Sequence, residues 1–539
     1  MRRWICSILM IASLLSLVGC GEAEKAYVPT GDGLSYHEDY TGPVETRPQV
    51  QAQNMTLTYY PERSLNPIQA TDFTNRTLFS LLYQPLFSVD RDYKMEPVLC
   101  ERYSMSQDMR NYTFYLDPKA TFSDGSRVRP EDVCASLQAA MLSSYYSGRF
   151  RHFLSITVTE DQGIAVSLST AYENLPILLD IPIVKESQVD EPRPLGSGPY
   201  IWDASSTSLC LRKRANWWCS AELPLSAPMI SLVVAESNPQ IRDNFQFNGL
   251  SLVCTDPGSD KYTDYRSDFE LWACESGHFL YLAVSEASSW FSDPDLRKAL
   301  TYTVDRDKLV QTYYRGFGIA ATLPALPTSP YYSQKLAEKY GYDPQVMSKA
   351  LEGFTHPEYP MVFLVNSDDS LRTRMARSIA ETLESYGIAV TMKELSGEAY
   401  RSALRERNYD LYLGETKLSA NMDLSAFFHT TGALSYGGVD DTATYSLCLQ
   451  ALENHGNYYT LHQTVMEDGM LVPLLSYTYA VYATRGTLLE LTPARDNIFY
   501  YSLGKTMKGP SFATETFTVG DGLPSPTVKM QNAKCKVKN

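Results

Sequence analysis

Gly504-Lys505-Thr506 has the ending of a phosphate-binding loop, in which backbone N–H groups cradle phosphate oxygens. That pattern needs a glycine five residues before Gly504, and the residue there is Phe499, so phosphate cradling is unsupported. Ser197 stands between Gly196 and Gly198, but a nucleophile elbow places its glycines two residues either side of the serine, where this chain has Leu195 and Pro199. The seven histidines form no HExxH, and His455 and His462, which could share a helix face, are separated by the helix-weakening Gly456-Asn457. Satisfied or solvated histidines are expected there, with no metal and no cofactor. Glu131 and Asp132 are adjacent carboxylates, which on a helix diverge by about 100° and cannot work as an acid and base on one bond. Negative charge at a helix N-terminus accounts for them better. No other spaced carboxylate pair offers itself, so a cleft hydrolase is the weakest reading and the chain is not expected to be an enzyme.

The composition narrows the classes further. With 539 residues, 44% hydrophobic and 20% charged, the chain has the profile of a globular protein of two to four domains. Its net charge of -15, with no basic run longer than three residues, sets aside nucleic acid as a partner. The only apolar stretch approaching a membrane span is at the N-terminus, which excludes a polytopic transporter.

That N-terminus reads Arg2-Arg3, an apolar run from Trp4 to Val18, then Gly19-Cys20: a charged region, an apolar region and a small residue before cysteine. Leu17-Val18-Gly19-Cys20 resembles the lipobox of bacterial lipoproteins, which implies cleavage after residue 19 and acylation of Cys20. More than one acyl chain gives stable anchoring, so the protein is expected on the extracytoplasmic face of the cell membrane. Residues 20–49, rich in Gly, Glu, Pro, Thr and Tyr, read as a tether. Cys6 leaves with the signal. Of the remaining cysteines, Cys210 and Cys219 flank a candidate hairpin and could pair, while Cys134 reads as a small buried hydrophobe on a helix.

Strand and helix periods are clearest after residue 355. Tyr359 to Val365 reads as a buried strand, and Asp368-Asp369-Ser370 offers N-caps to a helix whose stripe is Leu371, Met375, Ile379 and Leu383, stopped by Gly387. Residues 388–392, 398–405 and 409–413 then predict strand, helix and strand, and hence right-handed crossovers in a mainly parallel sheet. Asp293-Pro294 starts another helix with Leu296, Ala299, Leu300, Thr303 and Val304 inward and Gly316 at its end. Strands are predicted at Met55 to Tyr59, Asn111 to Leu116 and Ala165 to Leu168. At least two α/β lobes follow, with the interlobe cleft as the default site.

Several segments, in order, resemble the extracellular solute-binding proteins that serve peptide and nickel ABC importers. They are Leu65-Asn66-Pro67; Asn111 to Leu116 with Thr121 to Ser126 and Pro130 to Val133, the most specific run; and Pro194 to Tyr200. Arg214 to Trp218, Phe291 to Arg306, Tyr342-Asp343-Pro344 and Val472-Pro473-Leu474 complete the series. The likeness covers roughly residues 50–505. It implies a two-lobed periplasmic-binding-protein-like α/β fold (class II, cluster C) with an extra β-rich domain inserted in lobe one. Lobe one would comprise 50–71, 191–277 and 478–512, the insert 72–190, lobe two 278–477, and residues 513–539 a tail. Most of the shared motifs read as structural: Asp124-Gly125 and Gly196-Ser197-Gly198 as turns, Asp305-Arg306 as an ion pair or cap.

Peptide binders of this family anchor the peptide's amino group on an Asp that follows a Trp. Aligning Phe427-Phe428 with the family's aromatic pair puts Ala420 at that Asp and Leu424 at an expected proline, and the Trp is absent. A buried ammonium without a carboxylate partner costs several kcal/mol, roughly. The ligand is therefore either not a free-amine peptide or one held by Glu415 or Asp423, and Lys417 could favour an anionic group. Thr71, Asp72 and Phe73 align with the family's strand-pairing segment, and Tyr436 joins Glu415, Lys417 and Asp423 as the lobe-two candidates. The resemblance implies a monomeric, lipid-anchored protein that captures a solute, foremost an oligopeptide, by hinge closure and delivers it to the permease of an ABC importer. The rivals are a sensing or adhesion lipoprotein with a degraded pocket that binds another protein, and a binder of a non-peptide solute.

Overall fold

The computed structural model describes residues 55–203, 209–219, 225, 227–234, 237–258, 265, 269–485, 488, 491–495, 497–501 and 511–512. The signal, the tether, Cys20, Gly504-Lys505-Thr506 and the tail from 513 lie outside these. Within them the chain forms two α/β lobes around four sheets. Met55–Tyr59 pairs in parallel with Met229–Val234, and Cys210–Lys213 and Tyr200–Asp203 continue that sheet as an antiparallel hairpin. A five-stranded sheet is built on Cys100–Met105, Asn111–Leu116, Ile164–Leu168 and Phe153–Val158, with Ser511–Phe512 at one edge. Tyr112 and Phe114 alternate inward along Asn111–Leu116, the period-2 burial that predicts a strand. A small ladder pairs Phe87–Val89 with Met95–Pro97.

The largest sheet is built around two long strands. Its strands run in the order Leu252–Thr255, Leu471–Thr484, Phe269–Val284, Leu411–Lys417, Met361–Asn366, Val390–Leu395, with Gly318–Ala320 also on Leu471–Thr484. Phe269–Val284 and Leu471–Thr484 are antiparallel over almost their whole length. One end of the pair carries Leu252–Thr255, and the other carries Leu411–Lys417. Between the two ends the register shifts from Glu275 to Phe279, where Gly277 takes φ +73. A shift of this kind bends a strand and raises its twist, and the positive φ suits glycine.

The strand–helix–strand–helix–strand prediction matches Met361–Asn366, Ser370–Ser385, Val390–Leu395, Gly397–Arg405 and Leu411–Lys417, and the three strands are parallel. Asp369 caps Ser370–Ser385 by accepting from Arg372 N at 2.9 Å. Leu371, Met375, Ile379 and Leu383 are all buried, which together contributes on the order of 6–12 kcal/mol relative to exposure.

Four expectations need correction. The sheet is mixed rather than mainly parallel, because the two long crossing strands and Leu411–Lys417 pair antiparallel. The helix begun at Asp293 ends at Thr303 rather than near Gly316, since Asp305 caps a second helix, Arg306–Tyr314, by accepting from Lys308 N. Arg306 is buried and donates from Nε to Pro473 O at 2.8 Å. Gly196-Ser197-Gly198 is irregular backbone with a bend at Gly198 and no turn: a Cβ on Gly196 would overlap the Leu82 carbonyl, so glycine permits backbone contact there. Cys210 and Cys219 each keep a free thiol. Cys134 is buried on the helix Pro130–Leu142, whose Asp132 accepts from the N–H groups of Arg129 and Glu186, each at 2.8 Å.

Candidate functional site

Two segments far apart in sequence enclose a cavity of about 260 Å³. One is the polar stretch 144–151, delivered by the C-terminal end of Pro130–Leu142. The other is the end of strand Leu411–Lys417 and the loop beyond it, up to Leu434. Arg495, from a third segment, also lines the cavity. Leu411–Lys417 is held on one edge by Phe269–Val284 along its full length, but its opposite edge pairs with Met361–Asn366 only at Leu411 and Tyr412. Gly414 lets the buried Tyr281 ring lie on the strand, since a Cβ there would overlap it.

Polar contacts run from one wall to the other. Lys417 Nζ donates to Tyr145 Oη at 2.6 Å and lies 4.4 Å from that ring's centroid, and the Arg76 guanidinium lies 3.5 Å from the same centroid. Arg151 Nη1 donates to Asp423 Oδ2 at 2.8 Å and to Ser425 Oγ at 3.2 Å, while His152 Nε2 is 3.3 Å from the same carboxylate. Burial alone would raise the Asp423 carboxyl. The His152 bond and the Arg151 charge override it and hold the group well below the usual range. Arg149 pairs with Asp180, and Arg495 Nη1 stands 3.6 Å from Glu275 Oε1, on the crossing strand just before the register shift.

Of the residues singled out from sequence, Lys417 and Asp423 line this cavity. The other five do not. Glu415 is only 14% exposed, with one oxygen 2.5 Å from His278 Nδ1 and the other 2.8 Å from Arg372 Nη1. Burial raises its carboxyl, but His278 and Arg372 outweigh that and bring it down to about 2. Tyr436 is half-buried, packs its ring against Tyr412, and accepts from Tyr409 through its carbonyl. Thr71 is exposed. Asp72 caps Phe73–Arg76 and pairs with Arg63, and Phe73 stacks on Tyr479 of a crossing strand at 3.7 Å. Ala420 is buried. Sequence reasoning missed Tyr145, Arg149, Arg151 and Arg495; the one signal available was the basic, tyrosine-containing stretch directly after a well-formed helix.

Among the described residues no group of three His, Cys, Asp or Glu side chains could hold a metal ion, and no helix is long and apolar enough to cross a membrane. His455 lies in a short 3-10 turn, whereas His462 is fully buried in Tyr458–Asp468.

Comparison with known proteins agrees with this architecture. The glutathione-binding protein GsiB of Pectobacterium atrosepticum is 28% identical over 315 residues, which cover 56% of this chain and 60% of the relative, so the chain matches less than two thirds of that relative's length. Among solved structures, the ABC transporter substrate-binding protein CtaP of Listeria monocytogenes superposes with a TM-score of 0.69 at 16% identity, covering 83% of this chain and 98% of that one. NikA of Brucella suis, solved with Fe(III)-EDTA, gives 0.64 at 18% identity, covering 80% and 95%. At such identities these two speak for the two-lobed fold alone. The family model of bacterial extracellular solute-binding proteins, family 5, matches residues 94–436, and the chain belongs to that family of binding proteins.

Proposed function

We propose that this protein is anchored outside the cytoplasm through lipid on Cys20, captures a short peptide or a solute of similar size between its lobes, and hands it to the permease of an ABC importer. The observation that carries this reading is the cavity of about 260 Å³ between 144–151 and 416–434, bordered by a strand whose pairing with Met361–Asn366 stops at Tyr412. An open edge offers backbone N–H and C=O groups to an extended ligand, which gives affinity indifferent to side chains. The volume lies just below the roughly 300–1,000 Å³ typical of sites for drug-sized ligands. It favours two or three residues over longer peptides, in keeping with relatives named for binding glutathione. The bend at Glu275 to Phe279 in the crossing strands supplies a hinge. The domain limits expected from sequence, with 72–190 inserted in lobe one, belong to the same proposal, as do Thr71, Asp72, Phe73, Glu415 and Tyr436 as further ligand-binding residues outside the cavity itself.

Thermal unfolding with peptides of two to eight residues tests the reading. A ligand at 100 times its dissociation constant adds about 2.7 kcal/mol. Stabilisation by two- or three-residue peptides is expected, falling off with length. No shift with any peptide would favour the non-peptide solute, a reading that the buried Ala420 at the amine-anchor position also supports.

A further inference from the structure

Arg149 and Arg495 line the 260 Å³ cavity and also a second, smaller one of about 90 Å³, so the two spaces share a wall made of two guanidinium groups. Among the described lining residues of both, five side chains are cationic (Arg76, Arg149, Arg151, Lys417 and Arg495) and two are carboxylates, Asp180 and Asp423. Both carboxylates are already committed. Asp180 faces Arg149, and Asp423 accepts from Arg151 and from Ser425 N and lies against His152. The larger cavity's remaining polar side chains are hydroxyls, on Ser144, Tyr145, Ser147, Thr416 and Ser419, which can donate to an anion. The guanidinium groups are engaged as well, Arg149 with Asp180, Arg151 with Asp423 and Arg495 beside Glu275, but the lining still holds five cations against two carboxylates. An incoming ammonium meets that excess of positive charge, whereas a carboxylate is drawn to it and adds charge-assisted bonds to guanidinium groups suited to it.

Resting on the reading of this cleft as the solute site, we propose that it selects solutes by a carboxylate group read by Arg149 and Arg495, and not by a free amine. Arg495 also reports the anion to the hinge. Its Nη2 is 3.5 Å from Leu418 O on the loop after Leu411–Lys417, and Nη1 is 3.4 Å from Tyr93 Oη and 3.6 Å from Glu275 Oε1, next to the register shift. A carboxylate seated on this guanidinium therefore bears on groups from both lobes at once.

The test uses the full-length chain in detergent and four forms of trialanine: free at both ends, N-acetylated, C-amidated, and blocked at both ends, with binding measured by calorimetry. The acetylated acid should bind within about threefold of the parent, and the C-amide should be weaker by roughly tenfold or more. Arg149→Gln and Arg495→Gln should each remove most of that preference for the acid, bringing the acid-to-amide affinity ratio close to one. If Arg149→Gln unfolds the protein by stranding Asp180, the pair Arg149→Gln with Asp180→Asn removes the cation together with its partner. Equal affinity for acid and amide, or loss of binding on acetylation, would overturn the carboxylate proposal while leaving the cleft reading intact. Failure of all four peptides to bind would overturn the carboxylate proposal for peptides and move the cleft reading to the non-peptide solute.

Discussion

The buried His462 and the half-buried Asp256 are ionisable groups that pull the pH dependence of stability in opposite directions. Neither ring nitrogen of His462 has a hydrogen-bond partner among the described residues, and burial pushes its pKa down to about 3. The unfolded chain takes up the proton first, so stability falls as pH drops from 6.5 towards 3, by about 1.4 kcal/mol per unit. Asp256 is raised to about 6, chiefly by burial, with Glu415 and Asp369 adding to the rise and the Gly258 N–H and His278 opposing it. Here the folded state holds the proton more tightly, so stability rises as pH falls through 6 towards the ordinary value of 3.8. Denaturant titrations between pH 7.5 and 5 should separate the two. His462→Leu should abolish a loss on acidification. Asp256→Asn, which keeps the acceptor for Gly258 N, should add about 1–2 kcal/mol at pH 7.5 and roughly half of that at pH 5. Asp423→Asn leaves Arg151 and His152 without their carboxylate and should cost about 2 kcal/mol in the same measurement, less than a wholly buried pair because Arg151 is 28% exposed.

At the scale of elements, the strand Leu411–Lys417 depends on Gly414 for contact with Tyr281. Gly414→Ala should push that ring out of place and cost about 1–3 kcal/mol in chemical denaturation, with a weaker response to ligand because the strand's end forms the cavity wall. This strand and the helix Ser370–Ser385 were legible in the sequence because apolar residues recur at the right period and the cap and stop residues agree with them. The crossing strand Phe269–Val284 was not, since Cys274-Glu275-Ser276-Gly277-His278 interrupts its apolar run where the register shifts. The site was half legible. Lys417 and Asp423 follow a readable strand, but Arg151 meets Asp423 across a separation of 272 residues and Arg495 comes from another segment again. No local spacing records such a meeting.

For the molecule as a whole, anchoring and capture should be separable. Cys20→Ser should move the protein from the membrane fraction to the soluble fraction on cell fractionation, while the ligand-induced Tm shift of the purified protein stays the same. The crossing strands also bear on how the protein is made. Leu471–Thr484 lies between Leu252–Thr255 and Phe269–Val284 at one end of the large sheet and still borders Phe279 to Ala283 at the other. A chain emerging from its N-terminus has nearly all its residues out before this strand arrives, and until then Leu252–Thr255 has no neighbour in that sheet. Folding of both halves therefore waits on one late segment, which keeps the emerging polypeptide loose enough to be threaded and places its exposure to proteases and to holding chaperones at the end of synthesis.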